Sequence, residues 1–357
     1  MSYRKLWIAL SLVLVVSFAV LGGVGVKVLN NAPPIPSQVV TTDGKVLFDG
    51  ATIQDGQGAW QSIGGQEVGT IWGHGSYIAP DWTADWLHRE CLFILERWAT
   101  ESGAANYAAL NVEQQAALQA RLREIMRHNT YDAVTRRITL DPVRALAFEE
   151  LYRYYSDVFT HGRNEYAIQP NALSDPNQLR QMSAFFWWTA WAASTNRPGG
   201  NISYTQNWPH EPLIGNQPTG GAIVWSVVSF VLLLAGVGGM VWYFASQPRT
   251  VAEELLPEAD PLLGFRPTPS QRATVKYFFV VAALWVVQVA LGAITAHYGV
   301  EGSGFYGIPL DKWLRYSVTR TWHLQIGLFW IVTSWLATGL YVARRSAGWS
   351  EKASGWV

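Results

Sequence analysis

Two histidines lie in or beside long apolar runs of this chain, and both have neighbours that suit chemistry. His323 falls inside the run Thr321 to Ala343, where an ionisable or ligating side chain is costly and usually has a partner or a metal. Gly327 follows four residues later on the same helical face, and a missing side chain there would let a flat macrocycle approach the helix. One reading of His323 is an axial haem ligand. The other is a histidine near the membrane surface, hydrogen-bonded to a backbone carbonyl or a headgroup. His297 and Glu301 are also four residues apart, and they share a face if their helix continues one more turn. A neutral imidazole there can accept a hydrogen bond from a quinol hydroxyl while the carboxylate takes a proton. The alternative is a hydrated helix end with an ordinary His–Glu pair.

Other candidates are weaker. The stretch Trp60 to Trp82 has glycines at 64, 65, 69, 73 and 75, which permit positive φ and close backbone approach, so it reads as an ordered functional or docking loop. Gly73-His74-Gly75 has no following Lys-Ser/Thr and does not make a phosphate-binding loop. His74 and His88 have no third ligand at metal-site spacing, which makes them satisfied surface or core histidines. His128 and His161 fall at helix ends, where they favour the dipole, and His210 sits in a polar loop. Cys91 is the single cysteine, which excludes an internal disulfide, a thiolate cluster and a CxxCH haem attachment. Between Glu90 and Leu92 in a helical pattern, it reads as a small buried apolar residue.

These residues need elements to position them. The chain has 357 residues, 49% apolar and 15% charged, too apolar for an ordinary soluble protein. Four runs, roughly Leu6 to Leu29, Gly221 to Ala245, Lys276 to His297 and Thr321 to Ala343, approach or exceed the about 20 helical residues that cross a bilayer core. The first exceeds the about 7 to 15 residues of a signal-peptide h-region and has no clean A-x-A site, so it reads as a retained anchor. Arg4 and Lys5, then Arg249, Arg266, Arg272 and Lys276, then Arg344 and Arg345 fall on one side if every run spans. That places both termini in the cytoplasm and residues 31–218 outside. Basic and acidic residues balance at 26 each, so nothing points to nucleic acid. Residues 31–218 nevertheless carry 13 basic and 19 acidic side chains, against 13 and 7 elsewhere, as two parts in different environments would. Nineteen tryptophans suit interface belts and a large aromatic core.

The fold expected is mainly α and integral to a membrane: an anchor (1–30), an extracytoplasmic helical domain (31–218), three further spans (219–343) and a cytoplasmic tail (344–357). Within the domain a hairpin is expected around Asp43-Gly44. Helices are expected from Asp81 to about Ala99, from Val112 to His128, and from Asp141-Pro142 and Asp175-Pro176 onward, with a loop from Asn196 to Pro218.

The stretches GQGAWQSIGGQEVGTIWGHGSYIAPDWTADWLHRE, TAHYGVEGSGFYGIPLDKW and TRTWHLQIGLFWIVTSWLATGLYVA resemble the N-terminal half of quinol-dependent nitric oxide reductase, a single-chain member of the haem–copper oxidase superfamily. The resemblance runs from the first span to about Ala343. It implies a bacterial inner-membrane enzyme of denitrification that reduces two NO to N2O and water, with electrons passing from membrane quinol through a low-spin haem b to a catalytic haem b3 and non-haem iron. By this likeness His323 is an axial ligand of the low-spin haem b, His297 and Glu301 line the quinol site, and Tyr77 contacts the haem propionate region. Residues 31–218 would then be a cytochrome c-like domain without haem c. The partners implied are membrane quinol and the lipid bilayer, with no nucleic acid, and a homodimer is compatible with the resemblance.

The sequence departs from that family in one way. It stops after four spans, where the family continues into the helices that hold the second haem b ligand and the NO-reducing centre. No catalytic residue is therefore expected in this chain, and the missing C-terminal helical half becomes an expected partner. After Ala343 the tail also differs from the family's, which is what a truncation, a frameshift or a fragment would give. The competing class is a non-catalytic membrane-anchored sensor, an assembly protein or a truncated pseudo-protein.

Overall fold

The computed structural model describes residues 3–73, 79–246, 266–301, 307–308, 310, 313–314 and 316–347. In chain order these form α1 (Tyr3–Asn30), β1 (Gln38–Thr41), β2 (Val46–Asp49), α2 (Gly50–Ser62), α3 (Trp82–Glu101), α4 (Val112–Arg127), β3 (Tyr131–Asp132), β4 (Arg137–Leu140), α5 (Pro142–His161), α6 (Pro176–Ser194), α7 (Gly220–Ser246), α8 (Pro269–Ala273), α9 (Val275–Glu301) and α10 (Tyr316–Ala347). The chain divides into two compact units. Met1–Ala59, Gly69–Val158 and Ser174–Thr219 make the first, and Trp60–Val68, Phe159–Leu173 and Gly220–Val357 the second.

Four helical segments, in α1, α7, α8–α9 and α10, are long and apolar enough to cross a membrane, and α10 is the least apolar of them. They coincide with the four runs read from the sequence. The spanning windows of α1 and α7 bury no residue against protein, which suits helices whose backbone is satisfied internally and whose side chains face lipid.

In the first unit, helix starts follow their caps. Asp81 accepts from the Ala84 amide, Asp175 accepts from Asn177, and Asn111 forms a reciprocal capping box with Gln114; each satisfies amides that a helix start leaves without partners. The hairpin at Asp43-Gly44 is present, with Gly44 at φ 85 and β1 antiparallel to β2, pairing Val39 with Phe48. Three elements go beyond the sequence reading. β4 joins β1 in parallel, pairing Ile138 with Val39, and β3 closes the sheet in the order β2-β1-β4-β3. Helix α2 is glycine-rich and intrinsically weak. Its start is held by Asp49, which accepts from the amide and hydroxyl of Thr52 at 2.8 and 2.7 Å, and a Cβ at Gly56 would overlap the Gln181 carbonyl of α6.

Aromatic rings fill the interior between α3, α5, α6 and the sheet. Trp82 stacks on Phe186 at 5.5 Å, Trp86 on Tyr155 at 5.3 Å, and Phe48 meets both Phe148 and Trp187. One ion pair is embedded beside them. Arg144 Nε donates to Glu90 Oε1 at 2.7 Å, with 4% and 1% of the two side chains exposed, and Trp86 Nε1 donates to the other carboxylate oxygen at 3.1 Å. Removing one partner of such a pair strands a buried charge. Glu90→Ala is accordingly expected to lose about 3–5 kcal/mol of stability, whereas Glu90→Leu combined with Arg144→Met regains most of it. Thermal unfolding of the full chain in detergent, followed by near-ultraviolet circular dichroism, checks both, and equal losses in the two variants would refute the assignment.

Candidate functional site

The second unit brings His323 to a specific place. Helices α9 and α10 pack as a pair in which each offers a glycine to a polar side chain of the other. A Cβ at Gly292 would stand 2.7 Å from His323 Cε1 and 2.9 Å from its Nδ1, and a Cβ at Gly327 would stand 2.6 Å from Gln288 Nε2. Small residues permit this close approach where no hydrophobic force drives helices together in lipid. On its own helix each glycine follows the polar residue by four positions, Gln288 before Gly292 and His323 before Gly327. In an antiparallel pair that spacing is reciprocal.

The pairing fixes the imidazole. His323 Nδ1 lies 2.9 Å from the backbone carbonyl of Gln288. A carbonyl only accepts, so Nδ1 carries the proton, and in the neutral ring the lone pair is left on Nε2. Gln288 is itself held, its Oε1 accepting from Trp330 Nε1 at 2.6 Å. The carbonyl partner was one of the two sequence readings of His323. It does not compete with ligation, because a ligating histidine almost always donates its other N–H to such a group. A histidine held in this way has the donor atom, Nε2, that a haem iron would need. Gly327 differs from expectation: its face receives the Gln288 amide rather than standing open to a flat ring. Sequence reasoning missed Gln288, Gly292 and Trp330, although a glutamine inside an apolar run was a signal of the same kind as the histidine.

His297 is half-buried near the end of α9, which continues through Glu301, so the two occupy one helical face as the sequence reading required. The side chain of Glu301 lies outside the described residues, and so does Tyr77. Beside His297 in sequence, the Tyr298 hydroxyl donates to the Leu314 carbonyl and its ring meets Tyr316 edge-on at 5.8 Å. Gly65, at φ 54, comes close enough to Tyr316 that an added Cβ would lie 3.6 Å from the ring. The glycine-rich stretch thus reaches the first turn of α10 at this point. His297 is five residues beyond Gly292, which places it about 8 Å further along the helix axis.

The remaining histidines and the cysteine have structural surroundings. His88 Nδ1 is 2.8 Å from the buried carboxylate of Glu211, His128 caps the end of α4 and His161 closes α5. His74 lies outside the described residues. Among the described residues, no three His, Cys, Asp or Glu side chains gather as a metal site. Cys91 is fully buried, and burial, with the charges of Glu211 and Glu90 adding to it, pushes its thiol well above the ordinary range.

Residues 36–210, just under half of the chain, match the family model of the NorB cytochrome c-like domain of nitric oxide reductase. The likeness covers this domain alone. Comparison with curated proteins gave no match. The matched segment runs from the entry to β1 through the loop after α6, so this domain is of the NorB cytochrome c-like type, and α9 and α10 lie outside the match.

Two outcomes follow from this geometry. Gly327→Leu should expel the Gln288 amide and break the Trp330 contact, lowering stability by about 1–3 kcal/mol as overpacked sites do; a thermal unfolding midpoint unchanged from the parent would contradict the glycine seat. Cys91 should resist N-ethylmaleimide at pH 8 in the folded chain and react promptly in denaturant, as mass spectrometry of the modified protein would show.

Proposed function

We propose that this chain carries the electron-entry part of a quinol-oxidising nitric oxide reductase, set in the membrane with both termini cytoplasmic and the cytochrome c-like domain outside. The observation that carries the reading is the Gln288 carbonyl at 2.9 Å from His323 Nδ1, which leaves the ring's lone pair on Nε2 and so supports a ligating role. His323 would hold the iron of a low-spin haem b through Nε2. That group supplies a one-electron carrier.

The chain's own residues then do the proton work. A quinol gives up two electrons and two protons as it becomes a quinone. His297 accepts a hydrogen bond from one hydroxyl and orients the ring, and Glu301 one turn on takes the two protons in succession, passing each to water as the electrons leave one at a time to the haem. Their position at the end of α9 gives each proton a short route to water, while the Tyr298–Leu314 hydrogen bond ties the end of α9 to the residues just before α10.

The test is a reduced-minus-oxidised visible spectrum with a pyridine haemochrome assay on the full chain and on His323→Ala. A haem b signal in the parent that disappears in the variant is the expected result. A signal that survives the substitution removes His323 from the iron, and no signal in the parent favours the non-catalytic reading of this chain. With haem bound, His297→Ala and Glu301→Gln should each slow haem reduction by a soluble quinol about a hundredfold or more, leaving the spectrum unchanged.

A further inference from the structure

The first unit has a second recess that the redox reading does not use. Where α1 leaves its apolar span, the helix and the loop 196–207 together line an open recess of about 380 Å³. Its lining changes character along the helix. Val24 and Val28, with Ile202 from the loop, make one part apolar; Lys27, Asn31, Arg197 and Gln206 make the other polar. Positions 24, 28 and 31 share one face of α1 and extend about 10 Å along it, with the apolar end toward the middle of the span Ser11–Asn30.

Among the described residues, the charges in this recess have no counter-charge. Arg197 donates to neutral acceptors: Asn31 Oδ1 at 3.1 Å, the Tyr204 carbonyl at 2.9 Å and the Ser203 carbonyl at 3.4 Å, with its guanidinium 5.0 Å from the Tyr204 ring centroid. Lys27 is exposed, and no carboxylate lines the pocket among the described residues. Gln206 uses its amide oxygen to accept from Thr219, which leaves its two amide N–H donors available. Two cations and an amide donor therefore surround a space whose other wall is apolar and continuous with a membrane-spanning helix. This stands out in a domain carrying 19 acidic against 13 basic side chains.

We propose that this recess binds one anionic phospholipid, its phosphate between Lys27 and Arg197 and the start of its acyl chains against Val24, Val28 and Ile202. Zwitterionic lipid would place its own cation among these two and is disfavoured. The site pins the domain to the bilayer surface at the end of α1, by charge attraction of the kind that basic residues exert on anionic leaflets. It is independent of haem or quinol.

The experiment is native mass spectrometry of the full chain in detergent, with phosphatidylglycerol and phosphatidylcholine supplied in equal amounts. The parent should retain phosphatidylglycerol preferentially. Lys27→Gln, which alters an exposed side chain, should lower that retention about fivefold, the equivalent of one basic residue at a membrane surface. Lys27→Gln with Arg197→Gln should lower it further, with near-ultraviolet circular dichroism confirming that the domain stays folded. Val28→Trp, which fills the apolar part, should lower it without changing charge. Equal retention of the two lipids by the parent, or unchanged retention in Lys27→Gln, overturns the proposal. Displacement of the lipid by millimolar inorganic phosphate overturns the lipid assignment and leaves an anion site in its place.

Discussion

A bilayer interior offers no water to a polar group, so every such group in α9 and α10 must find a partner within the helix pair. Gln288 meets that constraint for three residues together. Its carbonyl faces the His323 imidazole, its side-chain oxygen accepts from Trp330, and its amide nitrogen fills the space over Gly327. The arrangement depends on register. Moving one helix by a single residue would rotate Gly292 and Gly327 by about 100° from their partners and leave an amide, an imidazole and an indole in hydrocarbon. The polar contacts thus select one packing of two otherwise apolar helices, and that packing decides which imidazole nitrogen is available.

The first unit manages buried polarity differently. Arg144 is neutralised by Glu90 within the aromatic core, but Arg127 meets neutral acceptors: Asn196, Asn216, Asn207 and the Asn201 carbonyl. Burial, with the charge of Arg123 nearby, lowers its pKa. Each asparagine belongs to the irregular segment after α6, so a single guanidinium on α4 ties that segment down at four points. Arg197 does the same on a smaller scale with Asn31, Ser203 and Tyr204. The fan of donors on arginine suits this work. It also leaves the positive charges of Arg127 and Arg197 without a carboxylate partner among the described residues, and at Arg197 that charge borders the recess beside α1.

What was legible in the sequence was whatever rests on local chemistry. Asp81, Asn111 and Asp175 are helix caps by residue type alone, Asp43-Gly44 is a turn by residue type, and the four spans follow from length and apolarity. Helix α2 was not legible, because its glycines argue against a helix and only the approach of the Gln181 carbonyl explains Gly56. The β1–β4 pairing was not legible either, since it joins strands separated by α2, α3 and α4. The site divides the same way. His323, and the helical face shared by His297 and Glu301, could be read from spacing. The occupant of Gly327 could not, because it comes from another helix; the matching Gln288–Gly292 spacing carried the information only if the two helices were assumed to be antiparallel partners.

Under the proposed reading, the two histidines answer different demands of one reaction. A proton leaving a quinol must reach water, and a charged carboxylate is tolerated only where water or a counter-charge is near, which suits His297 and Glu301 in the last turns of α9. An electron carrier needs the opposite: a dry position with its ligand already oriented, since a ligand that must reorient raises the cost of each electron transfer. His323, fixed by a backbone carbonyl and seated over Gly292, would be a ligand already oriented in this way. On that reading the about 8 Å along α9 between the level of Gly292 and His297 would separate the place of proton release from the place of electron transfer. The helix sets this spacing without any flexible element, so the two demands are met at different levels of one rigid rod.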